Sequence, residues 1–403
     1  MGSGLSSPEG ALRGRKITVY TDDPGEGGVA IYCTALLCAM ASAGLDVSCI
    51  QSPRESAAVR AREAVGVKHH WLGFQTRADF RRTVVGEGDA EQAFHAMRPD
   101  ILLFANCSPF SHIAAKAVAM RMGIPFIIVE GYASPIPAVD QRIAWFVEQS
   151  TQGYANAAAV IAVSHETLDL LRRFYGLKAD KGEVIHYGCR AEFFTPRDPA
   201  VRRSLRNEWN ASPQDIVCLT AARLERVKGW ESLMTAIARL KLRPAWNQLH
   251  FVWAGAGSLE PMLRKSIADL EIADRVHLLG WRTDIANLLD ASDVFILPSR
   301  QEGMPLSIME AMAKGLGVIA SSIAGIPEEL GTAGRLITAP HGGPEPTAGQ
   351  IASTLEQWTA DPTLLQDLGK AAHERAQQMF REDRMIGQTV GAIERALQRR
   401  GKP

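Results

Sequence analysis

Residues 293–320 read DVFILPSRQEGMPLSIMEAMAKGLGVIA. A short apolar run stops at Ser299, and the polar loop RQEGM follows. Pro305 stands where a first helical residue belongs, with Gly315 about three turns further on as a helix stop. A second apolar run, LGVIASS, begins at once. Strand, helix and strand in this order make a crossover unit, the connection that joins parallel strands. Runs of the same kind alternate with helical patterns along the chain: KITVYT, DVSCIQ, DILLFAN, PFIIVEG, AAVIAVS and GEVIHYG, then DIVCLTAAR, QLHFVWAG, RVHLLG, DVFILPS, LGVIASS and GRLIT. Apolar on both faces, they read as parallel strands covered by helices on each side, an α/β class.

A chain of 403 residues exceeds one compact core, so two domains are expected. The periodicity breaks at RAEFFTPRDPAVRRSL, where Pro196 and Pro199 stand in a charge cluster, which puts the join near residue 195. The expected organisation is a leader over 1–14, a Rossmann-like domain over 15–194, a second over 195–380 and a last helix over 381–403. Two doubly wound sheets facing each other would set their strand carboxyl ends and helix starts at a shared cleft, where such folds bind ligands.

Lys plus Arg equals Asp plus Glu at 44 each, without the positive excess of a nucleic-acid binder. The six cysteines show no Cys-x-x-Cys spacing and several lie in apolar runs, as buried thiols of a reducing compartment do. The first residues lack the apolar core of a secretory signal and no run reaches membrane-spanning length, so a cytoplasmic protein is expected. MGSGLS fits the Met-Gly-x-x-x-Ser acylation pattern, but in a Gly/Ser leader an accidental match is the expectation.

Three constellations carry candidate chemistry. Gly25, Gly27 and Gly28 lie where KITVYTD hands over to a long helical pattern, and glycines there let backbone N–H groups approach a phosphate. The spacing is not Gly-x-Gly-x-x-Gly, which disfavours a dinucleotide site, and a plain tight turn remains the alternative. Arg223 ends the run IVCLTAAR and Lys228 precedes the helical GWESLMTAIARL. Two cations so placed suit a diphosphate, or else they pair with Glu225 and Glu231. Glu302 and Glu310 are eight apart, too far for a helical charge pair. N–H groups around Gly303, Met304, Pro305 and Leu306 suit phosphate oxygens, and carboxylates on either side suit sugar and ribose hydroxyls. Alternatively Glu302 is a solvated loop residue and Glu310 pairs with Lys314.

The motif EGMPLSIME followed by AMAKG resembles the E-x7-E motif of the retaining GT-B glycosyltransferases of family GT4. AARLERVKG, WAGAGSLE, VHLLGWRTDIANLLDASDVFILPS and IAGIPEEL resemble its neighbouring blocks in the same order, over most of residues 217–330. GEGGVAIYCTALLCAMASAGLDV, RPDILLFA, AAVIAVSHETLDLLRRFYG and VIHYGCRAEFFTP match the family's first lobe more loosely. The resemblance implies a GT-B fold, two Rossmann-like domains across a cleft, with the last helix returning to the first. It implies that Arg223 and Lys228 hold the diphosphate of a nucleotide-sugar, Glu302 the donor sugar and Glu310 the ribose. Main-chain groups at Gly280 and Trp281 would meet the base, and Gly27 and Gly28 would close over phosphates and sugar. No Asp-x-Asp occurs, in keeping with metal-independent chemistry and no cofactor.

The chain departs from the family pattern at Glu130, where a His is common near the reacting carbon. A carboxylate there would orient an acceptor or stabilise charge at the reacting carbon, or it turns into a structural pair. VIHYG replaces a frequent Pro-Asn-Gly, and Gly317 a frequent Pro. The expected activity is transfer of a hexose, from a UDP-sugar as the commonest donor, to a hydroxyl of an unknown small-molecule, lipid or saccharide acceptor. A GT-B-like epimerase or phosphorylase, or a silent nucleotide-sugar-binding homologue, is the alternative. Residues 54–82 carry seven Lys/Arg against three Asp/Glu, with Trp71, Phe74 and Phe80 interleaved. An anionic lipid or acidic acceptor would suit them; an ordinary solvated face is the expectation.

Overall fold

The structure, a computed structural model, describes residues 12–23, 25, 27–76, 79–136 and 141–400. Most of the leader, with its MGSGLS pattern, lies outside the described residues. The chain divides into two compact units: residues 1–188 with 382–403, and residues 189–381.

The first unit holds a parallel sheet of β1 (Lys16–Thr21), β2 (Asp46–Gln51), β3 (Lys68–Trp71), β4 (Ile101–Asn106), β5 (Phe126–Glu130), β6 (Ala159–Ala162) and β7 (Glu183–Val184). Their order is β3-β2-β1-β4-β5-β6-β7. The second unit holds β8 (Ile216–Ala221), β9 (Leu249–Ala254), β10 (Val276–Gly280), β11 (Val294–Leu297), β12 (Gly317–Ser321) and β13 (Arg335–Ile337), ordered β10-β9-β8-β11-β12-β13. In each sheet the order reverses once, between β1 and β4 and between β8 and β11. The crossovers on either side then run opposite ways, leaving a crevice at the strand carboxyl ends.

The apolar runs of the sequence supply twelve of these strands. The exception is β3, whose KHHW has no apolar run: it is an edge strand, with none of its four residues buried. β7 is much shorter than GEVIHYG suggests, two residues only.

The cores follow from the periodicity. In helix Trp230–Leu240 the buried Trp230, Leu233, Met234, Ile237 and Leu240 fall on one stripe, and Trp230 meets the buried Trp253 edge-on at 5.2 Å between ring centroids. Gly317 opens β12 with its N–H given to the Asp293 carbonyl at 3.0 Å, a bond proline would remove. A Cβ on it would lie 2.3 Å from Leu365 Cδ1, so packing and pairing both account for glycine here.

The charge cluster at the join is a clamp rather than a linker. Asp198 caps helix Pro199–Glu208, and Arg202 and Arg206 hold Asp293 at 2.6 and 2.9 Å. Arg197 donates to the carbonyls of Ser292, Lys314 and Gly315, the last two at the end of helix Leu306–Ala313. In the first unit, helix Glu382–Arg400 bonds Thr389 to Tyr32 (3.2 Å between hydroxyls) and Arg395 to Glu183 (2.7 Å).

Phe74 and Trp71 do not share a face. Phe74 is buried under the Arg82 guanidinium, which also pairs with Asp89 at 2.7 Å. Trp71 is exposed and stacks on His69. The side chain of Phe80 lies outside the described residues. Arg62 is buried, donating to the Ala58 carbonyl and the Cys49 sulfur. Among the described residues no helix is long and apolar enough to cross a membrane.

Candidate active site

In the second unit the candidate residues flank the crevice between β8 and β11. After β8 the chain reaches the exposed Arg223 and then a single tight turn, Arg226–Lys228, closed by Gly229 in the left-handed region at φ +73°. After β11 it runs through Pro298 and Ser299 to Glu302. The two loops touch: the Arg300 N–H donates to the Val227 carbonyl at 2.7 Å, and a Cβ on Gly229 would sit 1.8 Å from the Pro298 carbonyl oxygen. Only glycine fits that approach.

This contact brings Lys228 Nζ to 2.6 Å from Glu302 Oε1, which also accepts from the Ser299 hydroxyl at 2.6 Å. The two charged side chains are only 16% and 8% exposed. Glu302 is therefore no solvated loop residue, and Lys228 pairs with it rather than with Glu225 or Glu231. Glu225 instead accepts from the N–H and hydroxyl of Ser258, and Glu231 lies 3.3 Å from Arg226.

Helix Leu306–Ala313 is shorter than the expected three turns, with Pro305 at its cap instead of its first position. The Gly303 carbonyl accepts from the Gly325 N–H at 2.9 Å, while the N–H groups of Gly303 and Met304 take no part in backbone pairing among the described residues. Met304 is buried and Leu306 half-buried, so this N-terminus keeps apolar walls around its free donors. Glu310, half-buried, does not pair with Lys314, whose ammonium lies 2.8 Å from Asp290. Burial pushes the Glu310 carboxyl up to about 7, against a lowering by Arg190 and with a further push from Glu192. Near the same loop Glu329 is fully buried, and burial first and the Glu302 charge second hold it well above the carboxylate range, against a lowering by the Met309 backbone N–H. The spacing of IAGIPEEL carries no signal for that burial.

Gly280, at φ +67°, ends β10 with its carbonyl accepting from the Gly255 N–H at 2.7 Å, and the Trp281 that follows is exposed. Among the described residues no group of three His, Cys, Asp or Glu is placed to hold a metal ion.

In the first unit Gly27 caps helix Gly28–Ser42. The Asp23 carboxylate accepts from the N–H groups of Gly25 (3.2 Å) and Ala30 (3.3 Å), and a Cβ on Gly27 would lie 2.2 Å from its Oδ2. The positive end of this helix already carries a carboxylate of the chain itself. Glu130 closes β5 with no exposed surface. Its Oε1 accepts from Asn106 Nδ2 at 2.6 Å and the Tyr154 hydroxyl at 2.8 Å. Burial pushes Glu130 up and Lys116 down, each opposed by the other's charge. Of the two readings of Glu130, the geometry is that of the inward structural pair.

Two family models match the chain: Glycosyltransferase Family 4 over residues 26–193 and Glycosyl transferases group 1 over residues 215–357. The chain belongs to glycosyltransferase family 4. An alpha-maltose-1-phosphate synthase of Mycobacterium tuberculosis is 25% identical over 380 residues, covering 88% of this glycosyltransferase and 92% of the relative. A D-inositol 3-phosphate glycosyltransferase of Pseudarthrobacter chlorophenolicus is 32% identical over 228 residues, covering 55% of this chain and about half, 52%, of the relative's length. Among solved structures, Anabaena HepE in complex with UDP-glucose superposes with a TM-score of 0.74 at 18% identity, over 94% of this chain and 99% of that one. Sucrose-phosphate synthase from Thermosynechococcus elongatus does so with a TM-score of 0.74 at 21% identity, over 96% and 100%. The family 4 chain thus has the GT-B fold.

Proposed function

We infer that this enzyme moves a hexose from a nucleotide-sugar, with UDP-hexose as the donor of choice, to an acceptor hydroxyl with retention and without a metal. The observation that carries this is the Lys228–Glu302 pair, next along the loop to the Gly303 and Met304 N–H groups that no backbone carbonyl takes among the described residues. Here a cation and a carboxylate hold one another where a diphosphate and a sugar would divide them. A UDP-glucose complex of a structural neighbour supports the choice of donor.

The roles follow from charge. Cleavage of the bond between the sugar C1 and the diphosphate makes C1 oxocarbenium-like and gathers negative charge on the leaving oxygen. Lys228, Arg223 and the N–H groups near Gly303 and Met304 meet that charge. Glu302, released from Lys228 by the incoming phosphate, accepts from sugar hydroxyls, and Glu310 accepts from the ribose. Backbone at Gly280 and Trp281 faces the base.

Calorimetry with UDP, GDP and ADP, followed by donor hydrolysis by wild type and Glu302→Ala, tests the assignment. UDP is expected to bind most tightly, and Glu302→Ala to bind it while losing hydrolysis. If none of the three nucleotides binds, the assignment fails. Glu310 adds a pH signature, because a carboxyl titrating near 7 is neutral, and the poorer acceptor, below that pH. UDP affinity should rise by up to about tenfold between about pH 6 and about pH 8 in wild type, and by clearly less in Glu310→Gln. Parallel profiles in the two proteins would detach Glu310 from the ribose.

A further inference from the structure

A third loop of the second unit reaches the loop that carries Glu302. It follows β12 through Ser322 to Gly325 and enters the short helix Ile326–Leu330. The Gly325 N–H donates to the Gly303 carbonyl at 2.9 Å, and Ala324, just before it, adopts φ +48°, a conformation uncommon outside glycine. Backbone strain of this kind persists only where the surrounding structure fixes the residue. One turn on, the Glu329 N–H returns to the Gly325 carbonyl at 2.8 Å. The far end of the helix is held as well. Arg375, from helix Pro362–Met379, donates Nε to the main-chain carbonyl of Glu329 at 2.8 Å and a terminal N–H to that of Glu328 at 2.6 Å.

These bonds send the Glu329 side chain inward. It has no exposed surface, and the Met309 N–H, in the first turn of helix Leu306–Ala313, faces its carboxyl. Burial, the Glu302 charge and then the Glu328 charge push the proton onto it, against the Met309 N–H and Arg375. Arg375 is the cation that acts on it, and that guanidinium is spent on the two main-chain carbonyls. The elements around it bring no other cation to the carboxyl: β12 has no titratable residue, Arg335 of β13 donates to Gln357, Lys314 is taken by Asp290, and His373 meets the Ala313 carbonyl. A sealed carboxyl pressed by two carboxylates, without a cation of its own, keeps its proton.

We propose that Glu329 is a positioning residue of the donor site, holding the segment from Gly303 to Met309 in the shape that grips a nucleotide-sugar. It works with its proton on, for two reasons. Its carbonyl oxygen then remains an acceptor for the Met309 N–H, which fixes the first turn of the helix beside the Gly303 and Met304 N–H groups. Its neutrality also leaves Glu302 able to stand alone as an anion. When a diphosphate draws Lys228 off Glu302, a negative charge is left in the wall of the site without its cation. A neutral neighbour tolerates that charge, whereas an ionised one would pin Lys228 in place and turn the diphosphate away.

This rests on the donor reading above, and the test keeps the two apart. Thermal melts of ligand-free wild type and Glu329→Gln are followed from about pH 5 to about pH 8. UDP affinity and UDP release from UDP-glucose are measured on wild type, Glu329→Gln and Glu329→Leu. A carboxyl that holds its proton more tightly when folded loses stability as pH rises past its unfolded value of about 4.3. An amide has no such loss, so Glu329→Gln should gain on wild type by up to roughly 3–5 °C in melting temperature per pH unit. Glu329→Leu removes the acceptor for the Met309 N–H and Glu329→Gln restores it. The kcat of Glu329→Gln should therefore exceed that of Glu329→Leu by about tenfold, with less than about threefold between their UDP Kd values. The proposal is overturned if the melting difference stays constant with pH, or if Glu329→Leu turns over as fast as Glu329→Gln. Wild type that binds no UDP, or releases none from UDP-glucose, would instead remove the donor reading, and the melts would still show whether Glu329 keeps its proton.

Discussion

Lys228→Ala is expected to lower turnover by about 10²–10³-fold while leaving the protein folded. The loss has two sources. The leaving diphosphate loses the Lys228 ammonium, which stands on Glu302, the residue before the unpaired N–H groups of Gly303 and Met304. Glu302, only 8% exposed, loses its 2.6 Å partner and keeps only Ser299. Stranding a largely buried carboxylate costs about 2 kcal/mol of stability, so the single variant should melt below wild type. Removing Glu302 as well should restore part of that stability and none of the activity, since the stranded charge disappears with its side chain. Steady-state kinetics and thermal melts of the two single variants and the double variant check this. If the stability losses of the single variants simply add in the double variant, the pair is not coupled as the distances require.

Gly229→Ala should be the most damaging methyl in the second unit. Two costs combine there: a left-handed backbone at φ +73°, worth about 1–2 kcal/mol for a residue with a Cβ, and a Cβ 1.8 Å from the Pro298 carbonyl oxygen. That oxygen is main chain and cannot rotate away, so one of the two loops must move. A total above about 3 kcal/mol would lower the melting temperature by roughly 6–12 °C for a unit of this size. Gly280→Ala is the matched control, because Gly280 has φ +67° and nothing within 4 Å of an added Cβ. It should show the backbone cost alone. UDP affinity should collapse in Gly229→Ala, whose clash displaces Lys228. Equal melting shifts in the two variants would show that the carbonyl contact is not tight.

Much of this architecture is legible in the chain because buried parallel strands announce themselves as apolar runs, and glycines and prolines mark where those runs stop. β3 is hidden because an edge strand need not be apolar, and KHHW is not. The chemistry of the second unit is legible only as separate residues. Nothing in the spacing of Lys228 and Glu302 says that they touch, since that follows from β8 and β11 being neighbours, a fact of strand order. The Asn106–Glu130 bond is harder still, since each residue ends its own strand and only the finished sheet sets β4 beside β5. Arg197, likewise, looks like one charge in a linker until its three carbonyl partners are in place.

The close seat of Gly229 on the Pro298 carbonyl also bears on how this enzyme can diversify. The turn that carries Lys228 and the loop that carries Glu302 are separate in sequence but share one wall, so neither can be lengthened, shortened or re-angled while the other stays as it is. Insertions near Gly229 or Pro298 would unmake both halves of the proposed donor site together, whereas changes at Gln301, exposed beyond that wall, leave it standing. New sugar preferences should therefore arise by exchanging side chains at loop tips, and a library built by grafting one loop alone from a relative should yield mostly inactive proteins.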